Sequence, residues 1–227
     1  MSRNPLIVAL DVPAAAEALA LVDRLDTTIG FYKVGLELFT AEGPPIVTEL
    51  VARRKSVFVD LKMYDIGETV KRAAARVAAL GASLLTVHAS PQVIRAALEG
   101  VAGTELKIIA VTVLTSFDQA DLEDLGVTGR TVAQQVEWLA QQAIDAGVDG
   151  LVCSPLEVAR LRQLAGPAAI LVTPGVRSAG TAPGDQKRVA TPAQAIADGS
   201  TYLVVGREIT RATDPAAAAT RILKAVS

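Results

Sequence analysis

The sequence predicts a closed (β/α)8 barrel. Short β-branched apolar runs alternate with Ala-rich amphipathic stretches, the pattern of strand–helix units. The runs are apolar almost throughout rather than at every second position, as in a parallel sheet covered on both faces. Eight such units fit into 227 residues, the usual size of a single barrel, so one domain spanning 1–227 is expected. A doubly wound open sheet usually has fewer strands and often a glycine fingerprint after the first. Here the first strand runs into "LDVPAAAE", which has no glycine.

The units follow in order. "LIVALD" is the first strand and "AAAEALALVDRL" its helix. "GFYKVG" is the second, followed by a helix around "PPIVTELVARR". "SVFVDLK" is the third, and "TVKRAAARVAALG" a helix ended by Gly81. "SLLTVHA" and "PQVIRAALEGV" form the fourth unit. "LKIIAVTVL" is the fifth strand, followed by a polar stretch and the helix "TVAQQVEWLAQQAIDAG". "VDGLVCS" with "LEVARLRQLA" is the sixth unit, and "AAILVTPG" the seventh strand. A Gly/Pro/Ser/Thr-rich segment, Thr173 to Lys187, leads to "PAQAIADGS", the strand "TYLVVGR" and a last Ala-rich helix.

Composition narrows the function. Apolar residues are 51% but aromatics only 4%, so the core is aliphatic. A net charge of -2 gives no electrostatic case for nucleic acid or an anionic membrane, and any anionic ligand needs a local Lys/Arg cluster. No apolar run approaches the roughly 20 residues of a membrane span. Cys153 is the only cysteine and "MSRNPLIVALDVP" lacks the pattern of a signal peptide, so a cytoplasmic protein is expected. His88 is the only histidine, which excludes a two-histidine metal site within one chain.

In such barrels the active site lies at the C-terminal ends of the strands. The first strand delivers Asp11, the second Lys33, the third Asp60 and Lys62, and the fourth His88. Thr115 and Ser116 follow the fifth, Ser154 ends the sixth, Arg177 follows the seventh, and Gly206 and Arg207 end the eighth. Strand alternation predicts that Asp60 and Lys62 point the same way. An isolated Asp-x-Lys pair is most simply a salt bridge at the barrel mouth. Lys33 on the neighbouring strand extends it into a row with Asp11, in which opposite charges favour one another's ionised form. On the far side, Arg207 offers a planar fork for phosphate and Gly206 a close backbone approach, with Arg177 and Gln186 in the segment before them.

"LDVP", "YKVGLELF", "FVDLKMYDIGETV", "LTVHA", "AVTVLTS", "TPGVR", "GDQKRVATP" and "LVVGREIT" together resemble the signatures of the orotidine 5′-phosphate decarboxylase family, bacterial type, in order along essentially the whole chain. The resemblance implies a (β/α)8 homodimer that converts orotidine 5′-monophosphate to UMP and carbon dioxide, the last step of de novo pyrimidine synthesis, without cofactor or metal. It implies that Lys62 is the catalytic acid, that Asp60 lies beside it, that Lys33 joins the same network, and that Asp65 reaches the partner subunit's site. It assigns substrate contacts to Asp11, Lys33, Ile66, Thr69 and Thr115, and phosphate contacts to Arg177, Gln186, Gly206 and Arg207. Tyr64, Gly67 and Glu68 stand where the family often has His, Pro and Asn, so the loop after the third strand is expected to differ in shape.

Two other readings keep the fold. Barrels with the same Asp-x-Lys-x-x-Asp pattern act on sugar phosphates with a metal, and a barrel of this kind could bind nucleotide purely as a regulator. "LTS", "GDQKR" and the intact Lys62 network favour the decarboxylase. His88, Trp138 and Cys153 are read as structural.

Overall fold

The computed structural model describes residues 4–178 and 190–226. Its eight strands are β1 (Leu6–Ala9), β2 (Phe31–Gly35), β3 (Ser56–Met63), β4 (Leu84–His88), β5 (Lys107–Val111), β6 (Gly150–Val152), β7 (Ile170–Thr173) and β8 (Tyr202–Val205). They run parallel and close into a barrel in chain order. Closure is made by β1 against β8, where Ile7 pairs with Val204 and Val8 with Val205. The helices are α1 (Ala15–Leu25), α2 (Leu36–Glu42), α3 (Pro44–Ala52), α4 (Gly67–Ala79), α5 (Pro91–Gly100) and α6 (Gln119–Asp124), then α7 (Val132–Asp145), α8 (Val158–Ala165), α9 (Pro192–Ala197), α10 (Arg207–Thr210) and α11 (Pro215–Ala225). Among the described residues no helix is long and apolar enough to cross a membrane.

The eight expected units are all present. Three short helices go beyond the sequence reading. The helix expected after the second strand is preceded by α2, because Gly43 at φ 66° caps α2 and Pro44 then opens α3. Helix α6 forms in the polar stretch after β5, where Asp118 and Asp121 make a reciprocal capping box. Helix α10 starts directly on β8 at Arg207.

Strand alternation divides the core in two. Ile7, Ala9, Phe31, Phe58, Leu84, Ile109, Val111, Val152, Val172, Tyr202 and Val204 fill the barrel interior. Their neighbours, such as Val8, Tyr32, Val57, Val59 and Leu85, pack outward under the helices. This alternation aims the site. Lys33 lies two residues beyond Phe31 and Asp60 two beyond Phe58, so both continue the inward face at the upper end of the barrel.

One place breaks the regular ladder. Strand β3 pairs with β4 through Val59–Leu85 and next through Met63–Val87, with an irregularity between them. The β3 side advances four residues where β4 advances two. Within this stretch Lys62 has φ 48°, a left-handed conformation rare for a side chain of this kind.

At the opposite end of the barrel, Arg162 of α8 ties the turns before β7 and β8. Its guanidinium donates to the carbonyl oxygens of Gly166, Ala169 and Gly199 and to Thr201 Oγ1, at 2.7–3.2 Å. Burial pulls its pKa below the usual value, while Cys153 acts the other way.

Candidate active site

A cleft of about 380 Å³ opens at the C-terminal ends of the strands, a size suited to a small ligand. One wall is the charged row. Lys33 Nζ lies 2.8 Å from Asp11 Oδ1 and 3.5 Å from Asp60 Oδ2. Asp60 Oδ1 is 2.8 Å from Lys62 Nζ. The four groups therefore alternate in sign across β1, β2 and β3. Lys33 is only 8% exposed and the Asp60 side chain 12%, so the middle of the row is desolvated, while Asp11 at its end is exposed. Gly35 makes room for it: a Cβ there would come within 2.7 Å of Lys33 Nζ and 3.0 Å of Asp11 Oδ1.

Burial pushes the Asp60 carboxyl up, but Lys33, Lys62 and hydrogen bonds from Lys62 and Thr86 outweigh it and hold the pKa below the usual carboxylate range. His88, at the end of β4, is pulled below its ordinary value by burial and then by Lys62, which favours a neutral ring. Its ring meets Tyr64 edge-on, with centroids 5.5 Å apart.

The floor is apolar, from Phe58, Val111, Val152, Val172 and Val204. Thr115 lines the cleft beyond β5. The far wall carries Arg177, Gly206 and Arg207, joined by Arg211. Burial and then Arg207 lower the pKa of Arg177, whereas Glu208 raises it. The carboxylate of Glu208 also accepts the Ser178 N–H at 3.2 Å, and Arg177 N–H donates to Ala190 O at 3.0 Å. The cleft is thus cationic at one end, of mixed charge at the other, and apolar between.

Asp11, Lys33, Asp60, Lys62, Thr115, Arg177, Gly206 and Arg207 are brought together on this one cleft. Asp65, Ile66 and Thr69 do not line it; they lie exposed beyond β3 and in the first turn of α4. Asp65 Oδ1 accepts the Ile66 N–H at 2.6 Å. Gln186 lies outside the described residues.

At the departing positions, Tyr64 is exposed against His88, Gly67 opens α4, and Glu68 faces Arg72 along the helix at 3.6 Å. Trp138 is half-exposed under the Arg130 guanidinium, 4.6 Å from its ring centroid, and Cys153 is fully buried. The sequence reading missed the apolar floor, Arg211 and Thr86. The only signal for Thr86 was a hydroxyl in the middle of "SLLTVHA", on the same face as His88.

Asp60 and Lys62 do converge, but not by simple alternation. The irregularity in β3 and the left-handed Lys62 backbone lie between them, so their closeness has a different local geometry from that expected.

Residues 4–222 match the family model described as "Orotidine 5'-phosphate decarboxylase / HUMPS family". The chain is 53% identical over 225 residues to an orotidine 5′-phosphate decarboxylase of Rhodopseudomonas palustris (strain HaA2), covering 99% of this chain and 95% of that protein. It is 50% identical over 220 residues to the protein of the same name from Bradyrhizobium diazoefficiens, covering 97% and 92%. Among solved structures, the orotidine 5′-phosphate decarboxylase of Lactobacillus acidophilus superimposes with a TM-score of 0.84 at 37% identity, covering 99% of this chain and 100% of that one. Sequence, fold and cleft agree, and the chain belongs to the orotidine 5′-phosphate decarboxylase / HUMPS family.

Proposed function

We propose that the chain acts as one barrel domain, 1–227, that decarboxylates orotidine 5′-monophosphate to UMP, the closing step of pyrimidine nucleotide synthesis, with no metal or cofactor. The observation that carries this reading is the polarity of the cleft. An arginine pair sits across an apolar floor from a lysine–carboxylate row. That layout suits a nucleotide held by its phosphate, with its reacting ring against the charged row.

Breaking the C6–carboxylate bond leaves an electron pair on a ring carbon with poor resonance relief. In this reading the Lys62 ammonium lies beside that carbon, stabilises the developing charge and transfers a proton to C6 as carbon dioxide leaves. Asp60 faces the departing carboxylate, and Lys33 and Asp11 hold Asp60 and Lys62 in place. Thr115 contacts the pyrimidine and Asp11 the ribose. Arg177, Gln186, Gly206 and Arg207 bind the phosphate, whose binding energy helps orient the ring and exclude water.

The proposed working form is a homodimer. Ile66 at 74% and Tyr64 at 70% exposure leave large apolar side chains on either side of Asp65 in the chain, which supports a partner subunit there. In such a dimer Asp65, Ile66 and Thr69 would reach the partner's cleft. The proposed location is the cytoplasm, supported by a single, buried cysteine.

The test is the loss of orotidine monophosphate absorbance with purified protein, with and without chelator. Steady turnover that chelator leaves unchanged is expected. No decarboxylation would overturn the reading, and chelator-sensitive activity on sugar phosphates would replace it with the metal-dependent alternative.

A further inference from the structure

Thr86 is fully buried on β4, on the inward face that Leu84 begins. Its Oγ1 accepts the backbone N–H of Lys62 at 2.9 Å and donates to Asp60 Oδ1 at 3.0 Å. One hydroxyl therefore holds the backbone of one charged residue and the side chain of the other. It does so where β3 leaves its regular ladder with β4 and Lys62 adopts φ 48°. A left-handed conformation at a side-chain-bearing residue persists only where its surroundings over-determine it.

Lys62 N–H has lost its place in the ladder, and the Thr86 hydroxyl takes it up. Deleting that hydroxyl removes the acceptor for a strained backbone and one donor to a buried carboxylate together. The other groups facing Asp60 are Lys33 from β2 and Lys62 from its own strand, and both act on side-chain oxygens only. Neither can replace Thr86 at the Lys62 backbone.

We propose that Thr86 is a positioning residue, whose hydroxyl fixes the left-handed backbone at Lys62 and so the relative placement of the Lys62 ammonium and the Asp60 carboxylate. This rests on the decarboxylase reading above. Threonine suits the task because its branched Cβ restricts the rotamer that aims the hydroxyl, while its methyl fills the wall beside it.

The test compares Thr86→Val, which keeps shape and deletes the hydroxyl, with Thr86→Ser, which keeps the hydroxyl. Thr86→Val is expected to lower kcat about 100-fold while the Kd for UMP stays within about threefold, and Thr86→Ser to recover kcat to within about tenfold of the parent. A Thr86→Val enzyme with undiminished kcat, or a Thr86→Ser enzyme as slow as Thr86→Val, would overturn the proposal. Thr86→Ala, which adds no bulk beside Asp60, repeats the measurement if the valine variant does not fold. If the parent protein itself does not decarboxylate, the functional reading fails separately. The crystal structure of the variant then decides the placement: Lys62 leaving the left-handed region supports the inference, and an unchanged Lys62 backbone overturns it.

Discussion

Two regions of this barrel handle partly buried positive charge in opposite ways. At the lower end, Arg162 is surrounded by neutral oxygens, three carbonyls and a hydroxyl, which satisfy it completely within the protein. At the upper end, Lys33 and Lys62 share the Asp60 carboxylate, Lys33 also pairs with Asp11, and the row borders an open cleft. A cation enclosed by carbonyls is committed to holding the fold. A cation balanced by a shared carboxylate beside a cleft retains capacity to interact with something that arrives. The difference separates a charge committed to the fold from one that faces a cleft.

The sharpest way to break this contrast is to remove the charge that faces the cleft. Lys62→Ala should lower turnover by roughly 10⁴-fold or more in steady-state assays, since it removes both proton donor and local positive charge. UMP binding, followed by calorimetry, should remain measurable. Substantial residual decarboxylation would show that another group supplies the proton.

Arg207→Ala comes next. Truncating one partner of a charge-assisted phosphate contact should lower kcat/KM by about 10²–10³-fold. A loss below about tenfold would contradict a phosphate-holding role.

The shared-site reading of Asp65 gives a smaller signal of opposite sign. Lys62→Ala and Asp65→Ala subunits, each inactive alone, should regain activity on mixing. With random pairing in a two-fold dimer, about one site in four is complete. No recovery, with heterodimers verified by native mass spectrometry, would assign Asp65 to its own subunit or to none.

Arg162→Met tests the other side of the comparison. It leaves several partly buried oxygens without their donor, so the melting temperature should fall by about 5–10 °C. Activity per folded molecule should not change. A large kcat effect at unchanged stability would erase the distinction between the two regions.

The mildest effect is that of pH. His88 binds a proton less readily folded than unfolded, so stability should fall as pH drops through its ordinary value near about 6.5. Asp60 also has a depressed pKa, and its contribution is lost only at lower pH, below about 4. Urea midpoints at pH 7.5 and 5.5 should therefore differ, and His88→Asn should narrow the gap. Equal midpoints in the parent protein would contradict the burial argument for His88.

What the sequence made legible follows from which signals are local. Strand order, the inward aim of Lys33 and Asp60, and the arginines after β7 and β8 all depend on short-range pattern, and all could be read. The bend in β3 could not. "VFVDLKM" reads as plain alternation, whereas the left-handed turn at Lys62 is held by Thr86, 24 residues further on. Helix α2 was missed because Gly35 ends β2 and the helix begins at Leu36 with no intervening turn residue. Asp65 shows the remaining limit. Its spacing from Asp60 was plain, but the strand-end pattern did not show that it lies outside its own chain's cleft.

The pairing of β1 with β8 has a consequence for the timing of synthesis. The lysine–carboxylate row is complete once the chain has been made to Lys62, but the arginines that face it are added near the end. Until β8 arrives, β1 has an open edge where Ile7 and Val8 will pair. A nascent or truncated chain thus possesses one wall of the cleft without the other. Such a chain lacks Arg177 and Arg207, and its unpaired first strand is an open edge of the kind that favours aggregation.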